Sequence, residues 1–324
     1  MNASQWLKVA VLGAGGVGCY FGGMLARAGA PVTLIGRAQH VDAIARDGLV
    51  IERDSGREVV RVAASEDMAA VRGADVVLLC VKSPDTESSM RSLAPHLAPH
   101  AVLVSLQNGV DNADRAAATI SHPVLAAVVY VGVYMAGPGV VRHTGRGDLV
   151  LGIPRASASR PHVAERLREV AAMFERAGVT CPVSTSIESA LWTKLTINCA
   201  FNAVSALGRA RYGRMAGEPA VREVMEEAVR ETVAVARADG IDLDQADLIA
   251  MTWRVAEAMA GQYSSTAQDV LRGKRSEIDS LNGFVAARAR ALGVPAPVNS
   301  TLHALVKLLE TAESNPLLAP TAES

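Results

Sequence analysis

Residues 9–29, VAVLGAGGVGCYFGGMLARAG, decide the fold. Four β-forming apolar residues run straight into glycines at 13, 15 and 18, and a helical pattern follows until Gly29 closes it. A strand, a GxGxxG turn and a helix in immediate succession make the phosphate-binding corner of a dinucleotide fold. Gly13 permits the tight turn, Gly15 lets the backbone approach a diphosphate, and Gly18 allows the helix to pack closely on the strand. Ala14, Gly16 and Val17 complete the loop, whose helix N-terminus offers unpaired N–H groups to an anion. Cys19 beside it is assigned to packing.

Working outward, KVAVLG, PVTLIG, GLVIER, ADVVLLCVK and AVLVSLQNG are short β-branched runs, separated by glycine-closed helices such as QHVDAIARDG. This alternation predicts βαβ units and a parallel sheet. The run VLAAVVYVGVYMA, GVVRHTG and GDLVLGIP is more hairpin-like and is expected to finish the sheet. A surface loop, PRASASRP, then precedes the amphipathic helix HVAERLREVAAMFERAG. A last strand, VTCPVS, is expected to end the domain near Ser184. Beyond it strand signals vanish, and helical patterns cover 186–208, 217–239, 244–260, 275–292 and 298–313. The expected architecture is therefore α/β: an N-terminal Rossmann-type parallel-sheet domain over 1–184, followed by an all-helical domain over 185–324. The tail ESNPLLAPTAES carries little periodicity and is expected to fray.

Composition narrows the function classes. With 324 residues the chain is long for one core, and 50% hydrophobic content supplies two. Thirty-two basic against 33 acidic residues give a net charge of -1, which leaves no electrostatic footprint for nucleic acid or an anionic membrane. Cys19, Cys80, Cys181 and Cys199 lie far apart, without the spacing of a zinc site or a secreted disulfide framework. MNASQWLKVAVLGAGGVG does not read as a signal peptide, having no basic start and an early glycine turn, and no apolar run approaches the roughly 20 residues of a membrane helix. A cytoplasmic protein acting on a small molecule is expected, with a homodimer as the other partnership open to it.

Four further places carry chemistry. After the second strand, where an NAD site usually places an acid for the ribose 2′-hydroxyl, TLIGRAQH has Arg37. A guanidinium fork suits a 2′-phosphate and favours NADP(H). Gln39 and His40 stand close enough to assist, although a surface histidine is more often uninvolved. Lys82 in VKSPDT and Asn108 in LQNGV end adjacent strands, and the carboxyl ends of parallel strands open on the ligand crevice. In LWTKLTINCAFNAVSALG, steps of four keep Lys194, Asn198 and Asn202 on one stripe of an otherwise apolar helix, within an arc of roughly 80°. A desolvated lysine there has its proton made available for donation. Ser264 and Ser265 can cap a helix beginning near Thr266. Glu277 is a carboxylate of the kind a buried lysine needs.

The order of GAGGVG, VKSPDT, LQNGV, WTKLTINCAFNAVSAL and SSTAQDVLRGKRSEIDSLNGF strongly resembles the ketopantoate reductase family, from Val9 to about Lys307. The resemblance implies NADPH-dependent reduction of 2-dehydropantoate to pantoate in pantothenate biosynthesis, on a Rossmann domain followed by a helical one. It implies Lys194 as general acid, with Glu277 supporting it or contacting substrate. It places Asn108, Asn198, Asn202 and Ser265 on the substrate, and Lys82 at the nicotinamide end of the cofactor. Gln262 stands where better-known pantoate-binding members carry asparagine, and another asparagine near Tyr212 is missing. These departures leave cofactor and reaction type untouched but open the acyl substrate to a different 2-oxo acid. A non-catalytic NADP(H) sensor is the alternative from another class. It would need the glycine loop and Arg37 but no proton donor.

Overall fold

The computed structural model describes residues 6–311, so the terminal segment expected to fray lies outside the described residues. The chain divides into two compact units, Met1–Ile187 and Glu188–Ser324.

The first unit is built on strands β1 (Val9–Leu12), β2 (Val32–Ile35), β3 (Leu49–Arg53), β4 (Gly56–Val60), β5 (Ala63–Ser65), β6 (Val76–Leu79), β7 (Val102–Ser105), β8 (Val124–Gly137) and β9 (Val140–Gly152). They form one sheet in the order β4-β3-β9-β8-β7-β6-β1-β2-β5. The run β5-β2-β1-β6-β7-β8 is parallel throughout, in the strand order of a doubly wound dinucleotide fold with its switch point between β1 and β6. Residues of β1, β6 and β7 are buried without alternation, the pattern of parallel strands covered on both faces. Helices α1 (Gly16–Arg27), α2 (Ala38–Asp47), α3 (Thr86–Leu93), α4 (Asn112–Thr119) and α5 (Val163–Arg176) accompany the sheet.

As the hairpin-like run predicts, β8 and β9 form a long antiparallel hairpin, with register shifts at Tyr130/Val131, Gly132/Val133 and Met135/Gly137. The rest of the sheet departs from expectation in two ways. That hairpin does not finish the sheet, because β3 leaves the neighbourhood of β2 and pairs in parallel with β9 instead, Val50 opposite Val140. β4 folds back on β3 as an antiparallel edge. Both edges, β4 and the three-residue β5, are short, and β4 carries Arg57 and Glu58, which blunts strand addition. The expected strand VTCPVS is not one. Its backbone follows β9 through Leu149 N–H to Thr180, Leu151 N–H to Pro182 and Ser184 N–H to Leu151, yet only Val183 forms a bridge, since Pro182 has no amide to continue the ladder.

The second unit holds α6 (Ile187–Gly208), α7 (Tyr212–Gly217), α8 (Pro219–Ala238), α9 (Gln245–Ala258), α10 (Ser265–Leu271), α11 (Asn282–Leu292) and α12 (Pro297–Thr311). Pro219 at the first position starts α8. The helix expected over 275–292 begins only at Asn282, after a 3-10 turn at Ile278–Ser280. The preceding segment is held by side chains instead: Ser276 Oγ accepts the Ile278 N–H, and Ser276 donates through backbone and hydroxyl to Glu310. A buried carboxylate organises the far end of the bundle. Glu231 on α8, 5% exposed, accepts the backbone N–H groups of Val298 and Asn299 and the Asn299 carboxamide, so it caps α12 from a neighbouring helix. No helix among the described residues is long and apolar enough to cross a membrane.

Candidate active site

The glycine loop joins the end of β1 to α1. Ile35 at the end of β2 accepts hydrogen bonds from the Gly13 and Ala14 amides at 2.9 and 3.0 Å. Gly13 has φ +107°, and a Cβ there would stand 2.7 Å from the Cys80 carbonyl, so both conformation and space exclude a side chain. At Gly18 a Cβ would collide with the Gly13 carbonyl oxygen and come within 2.9 Å of Val11 Cγ1. Gly15 is different. Nothing stands within 4 Å of its missing Cβ, and it caps α1, with Cys19 N–H donating to its carbonyl at 2.8 Å. The amides of Gly16, Val17 and Gly18 therefore precede the first helical hydrogen bond. Open space over Gly15, first-turn amides and the positive end of α1 fit a diphosphate. Gly16 lies under β8, its missing Cβ 3.3 Å from Tyr134 Cα, and Ala14 and Val17 pack against the core.

Arg37 follows β2 and caps α2 through its carbonyl, which accepts the His40 and Val41 amides. Its side chain is exposed, and no carboxylate among the described residues pairs with it, so the fork is available to a phosphate. His40 is no surface histidine. It is 6% exposed, accepts the Gly139 amide at 3.4 Å and lies 3.3 Å from the Gln39 carboxamide.

Lys82, exposed, and Asn108, half-buried, sit just past the ends of β6 and β7. Beneath them is a buried polar network that pattern reading missed: Ser83, Thr86, Gln107 and Asn112. Gln107 donates to the Val81 carbonyl and to Thr86 Oγ1, and accepts from Ser105. Arg115 on α4 closes the edge with a two-pronged pair to Glu87 at 2.6 Å. That pair holds the Glu87 carboxyl below its ordinary range, whereas burial raises Asp111 despite Arg115. The only available signal was the density of small polar residues in SPDT and QNGVDN.

In the second unit, α6 carries the polar stripe. Lys194 and Asn198 are half-buried beside Thr193 and Ile197. One turn further the stripe enters the core, where Asn202 is 2% exposed. The structure brings the α10 serines to that turn: Ser264 Oγ donates to the Asn202 carbonyl at 3.2 Å, and the Asn202 carboxamide reaches Ser265 Oγ at 3.5 Å. Ser264 also caps α10, accepting from Ala267 N–H. The loop before it is fixed by Tyr212 N–H to the Gln262 carbonyl and Gly213 N–H to the Ala260 carbonyl. The two positions that depart from the expected asparagines are thus bonded neighbours, and Tyr212 stacks on Phe201 with ring centroids 4.2 Å apart. Burial pushes the Tyr212 hydroxyl up to about 12. Glu277, half-buried, lies in the turn before α11. That turn is pinned to α12 by Asp279, which meets His303 Nε2 at 2.7 Å and Lys307 Nζ at 2.9 Å. Burial opposes the Asp279 charge, but these two partners outweigh it and hold the carboxyl below its ordinary range.

Two family models match the chain: ketopantoate reductase PanE/ApbA over residues 9–155, and its C-terminal counterpart over 186–310. The chain belongs to the ketopantoate reductase family. A 2-dehydropantoate 2-reductase of Halobacterium salinarum is 36% identical over 311 residues, covering 94% of this chain and 99% of the relative. The crystal structure of a PanE/ApbA family ketopantoate reductase from Ralstonia eutropha is 51% identical with a TM-score of 0.86, over 94% of this chain and 98% of that one. A ternary structure of D-mandelate dehydrogenase with NADH and anilino(oxo)acetate shares the fold at 23% identity and TM-score 0.87, over 94% and 98% of the two chains. Membership in this family makes the chain an oxidoreductase that uses a nicotinamide cofactor.

Proposed function

We propose that the protein reduces 2-dehydropantoate to pantoate with NADPH, in the cytoplasm, as a step toward pantothenate. The observation that carries this reading is the α6 stripe: Lys194 and Asn198 share one half-buried face, and one turn on, Asn202 is joined to Ser264 and Ser265. A sensor would need the glycine loop and Arg37 but not this second set of polar groups. The residues present fit the cofactor, with the Gly15 to Gly18 amides for its diphosphate, Arg37 for its 2′-phosphate, and Lys82 and Asn108 toward its nicotinamide end. When bound, NADPH supplies the hydride. Lys194 gives its proton to the alkoxide oxygen formed on the 2-carbon, and Glu277 balances the charge that the lysine carries beforehand. Asn198, Asn202 and Ser265 hold the substrate carboxylate and hydroxyl, while Asn108 bonds its oxygen. Orientation and stabilisation of charge developing on oxygen are the terms that carry the rate. Homodimerisation through the helical unit is part of the same proposal.

The test is NADPH consumption with 2-dehydropantoate beside a panel of other 2-oxo acids. Turnover of 2-dehydropantoate above the rest is expected, and preference for another acid would reassign the substrate through Gln262 and Tyr212. Lys194→Ala is expected to lose kcat by about 10²- to 10⁴-fold with NADPH affinity kept. Near-normal turnover would remove Lys194 from the acid role, and tight NADPH binding with no reduction of any acid would favour the sensor.

A further inference from the structure

The buried network below Lys82 and Asn108 contains a closed triangle. Asn112 Nδ2 donates to the Asn108 carbonyl at 2.6 Å and to Ser83 Oγ at 3.0 Å, while Ser83 Oγ donates to the same carbonyl at 3.1 Å. Both protons of the carboxamide and the single hydroxyl proton are thereby used. On the other side of the Asn112 carboxamide, Oδ1 accepts from Arg115 Nη1 at 3.2 Å, while Thr86 Oγ1, 3.3 Å away, turns its single proton to the Ser83 carbonyl at 2.9 Å. Arg115, which only donates, fixes which way the amide faces. Ser83 is fully buried and Asn112 is 2% exposed. A fully satisfied buried polar triangle that grips a backbone carbonyl rigidifies the chain it joins.

Its geometry joins two candidate site residues. Ser83 is the residue after Lys82, and its carbonyl is gripped by Thr86 Oγ1 at 2.9 Å and Arg115 Nη2 at 3.0 Å. Asn108 is followed by Gly109 at φ +104°, so its carbonyl turns inward to two donors while the chain reverses toward α4. We infer that Asn112, through Ser83, is a positioning residue: it locks the β6 and β7 ends to one another and so sets the placement of Lys82 and Asn108 for cofactor and 2-oxo acid. This rests on the assignment of Lys82 and Asn108 to the site proposed above.

Asn112→Asp keeps the shape but replaces the donor with an acceptor facing the Asn108 carbonyl. Burial and that oxygen raise the introduced carboxyl, whereas the Arg115 guanidinium, 3.2 Å from Oδ1, lowers it and keeps it an acceptor at pH 8. At pH 8, well below its Tm, the variant is expected to show kcat/KM for the 2-oxo acid about tenfold or more below wild type. A role in folding alone would lower thermal stability and leave kcat/KM of the folded enzyme unchanged. Ser83→Ala, which keeps the bond from Asn112 to Asn108, is expected to raise KM for the acid about threefold with Tm unchanged. Asn108→Ala separates the two levels. If it turns over normally, the site assignment fails. If it is impaired while folded Asn112→Asp keeps the wild-type kcat/KM at pH 8, the positioning role is overturned. Should Asn112→Asp not fold, an unchanged KM in Ser83→Ala overturns it and a raised one at unchanged Tm upholds it.

Discussion

Adding one methyl group at Gly15 or at Gly18 separates binding from folding within a single loop. At Gly15 the new carbon meets nothing within 4 Å, and φ is -92°, open to any residue. The folding cost is the preference for glycine over alanine at a helix cap, under about 1 kcal/mol, or about 2–4 °C in Tm for a unit of this size. The same methyl occupies the space assigned to the diphosphate. Losing one charge-assisted amide bond costs about 1.5–3 kcal/mol, which weakens NADPH binding about 10- to 150-fold. At Gly18 the methyl instead drives into the Gly13 carbonyl oxygen and to within 2.9 Å of Val11 Cγ1. Because one obstacle is backbone, α1 must lift from β1, and overpacking of this kind costs about 1–3 kcal/mol, roughly 2–12 °C by the same conversion. Thermal unfolding without ligand, paired with calorimetric titration of NADPH, reads both quantities. Gly15→Ala binding NADPH as tightly as wild type would refute the placement of the diphosphate. Gly18→Ala with unchanged Tm would refute the close approach.

Two other perturbations test separate parts of the molecule. Arg37→Ala is expected to weaken NADPH about 10- to 150-fold and spare NADH, since a guanidinium bonded to phosphate is worth about 1.5–3 kcal/mol; equal loss for both cofactors contradicts the 2′-phosphate contact. The Asp279 carboxyl is held below its ordinary range in the fold, so its contribution is complete above the unfolded value of about 4 and is lost as pH falls through the folded one. Asp279→Asn should therefore unfold at lower temperature than wild type at pH 7, with the difference closing below pH about 4; a difference independent of pH removes the His303 and Lys307 pairing as its source.

Patterns of two kinds made most of the fold legible. Short, valine-rich apolar runs such as Val76–Leu79 read as central strands, and the glycine spacing at 13, 15 and 18 marks where the first helix starts. The placement of β3 was not legible, because LVIER reads as a strand equally well beside β2 or beside β9, and its partner lies far along the chain. The late start of α11 was hidden for a different reason. RSEIDS has helical composition, but bonds from Glu310, His303 and Lys307 hold it off helical geometry. Periodicity placed Lys194, Asn198 and Asn202 on one stripe of α6. It could not show that Ser264 and Ser265 arrive at Asn202, since that meeting depends on the Tyr212 and Gly213 amides gripping the loop ahead of them. Asn112 escaped notice because small polar residues after a strand are ordinary turn formers.

The long reach from β3 to β9 governs the order of assembly. Val50 finds its partner Val140 only after some ninety intervening residues have been made, whereas β1, β2, β5 and β6 can pair from the first 79 residues. On the ribosome, the nucleotide-binding half of the sheet can therefore close early while the β3 and β4 ribbon waits with one margin unpaired. Such distant pairing is slow, and during that interval LVIER is the segment most exposed to capture by another nascent chain.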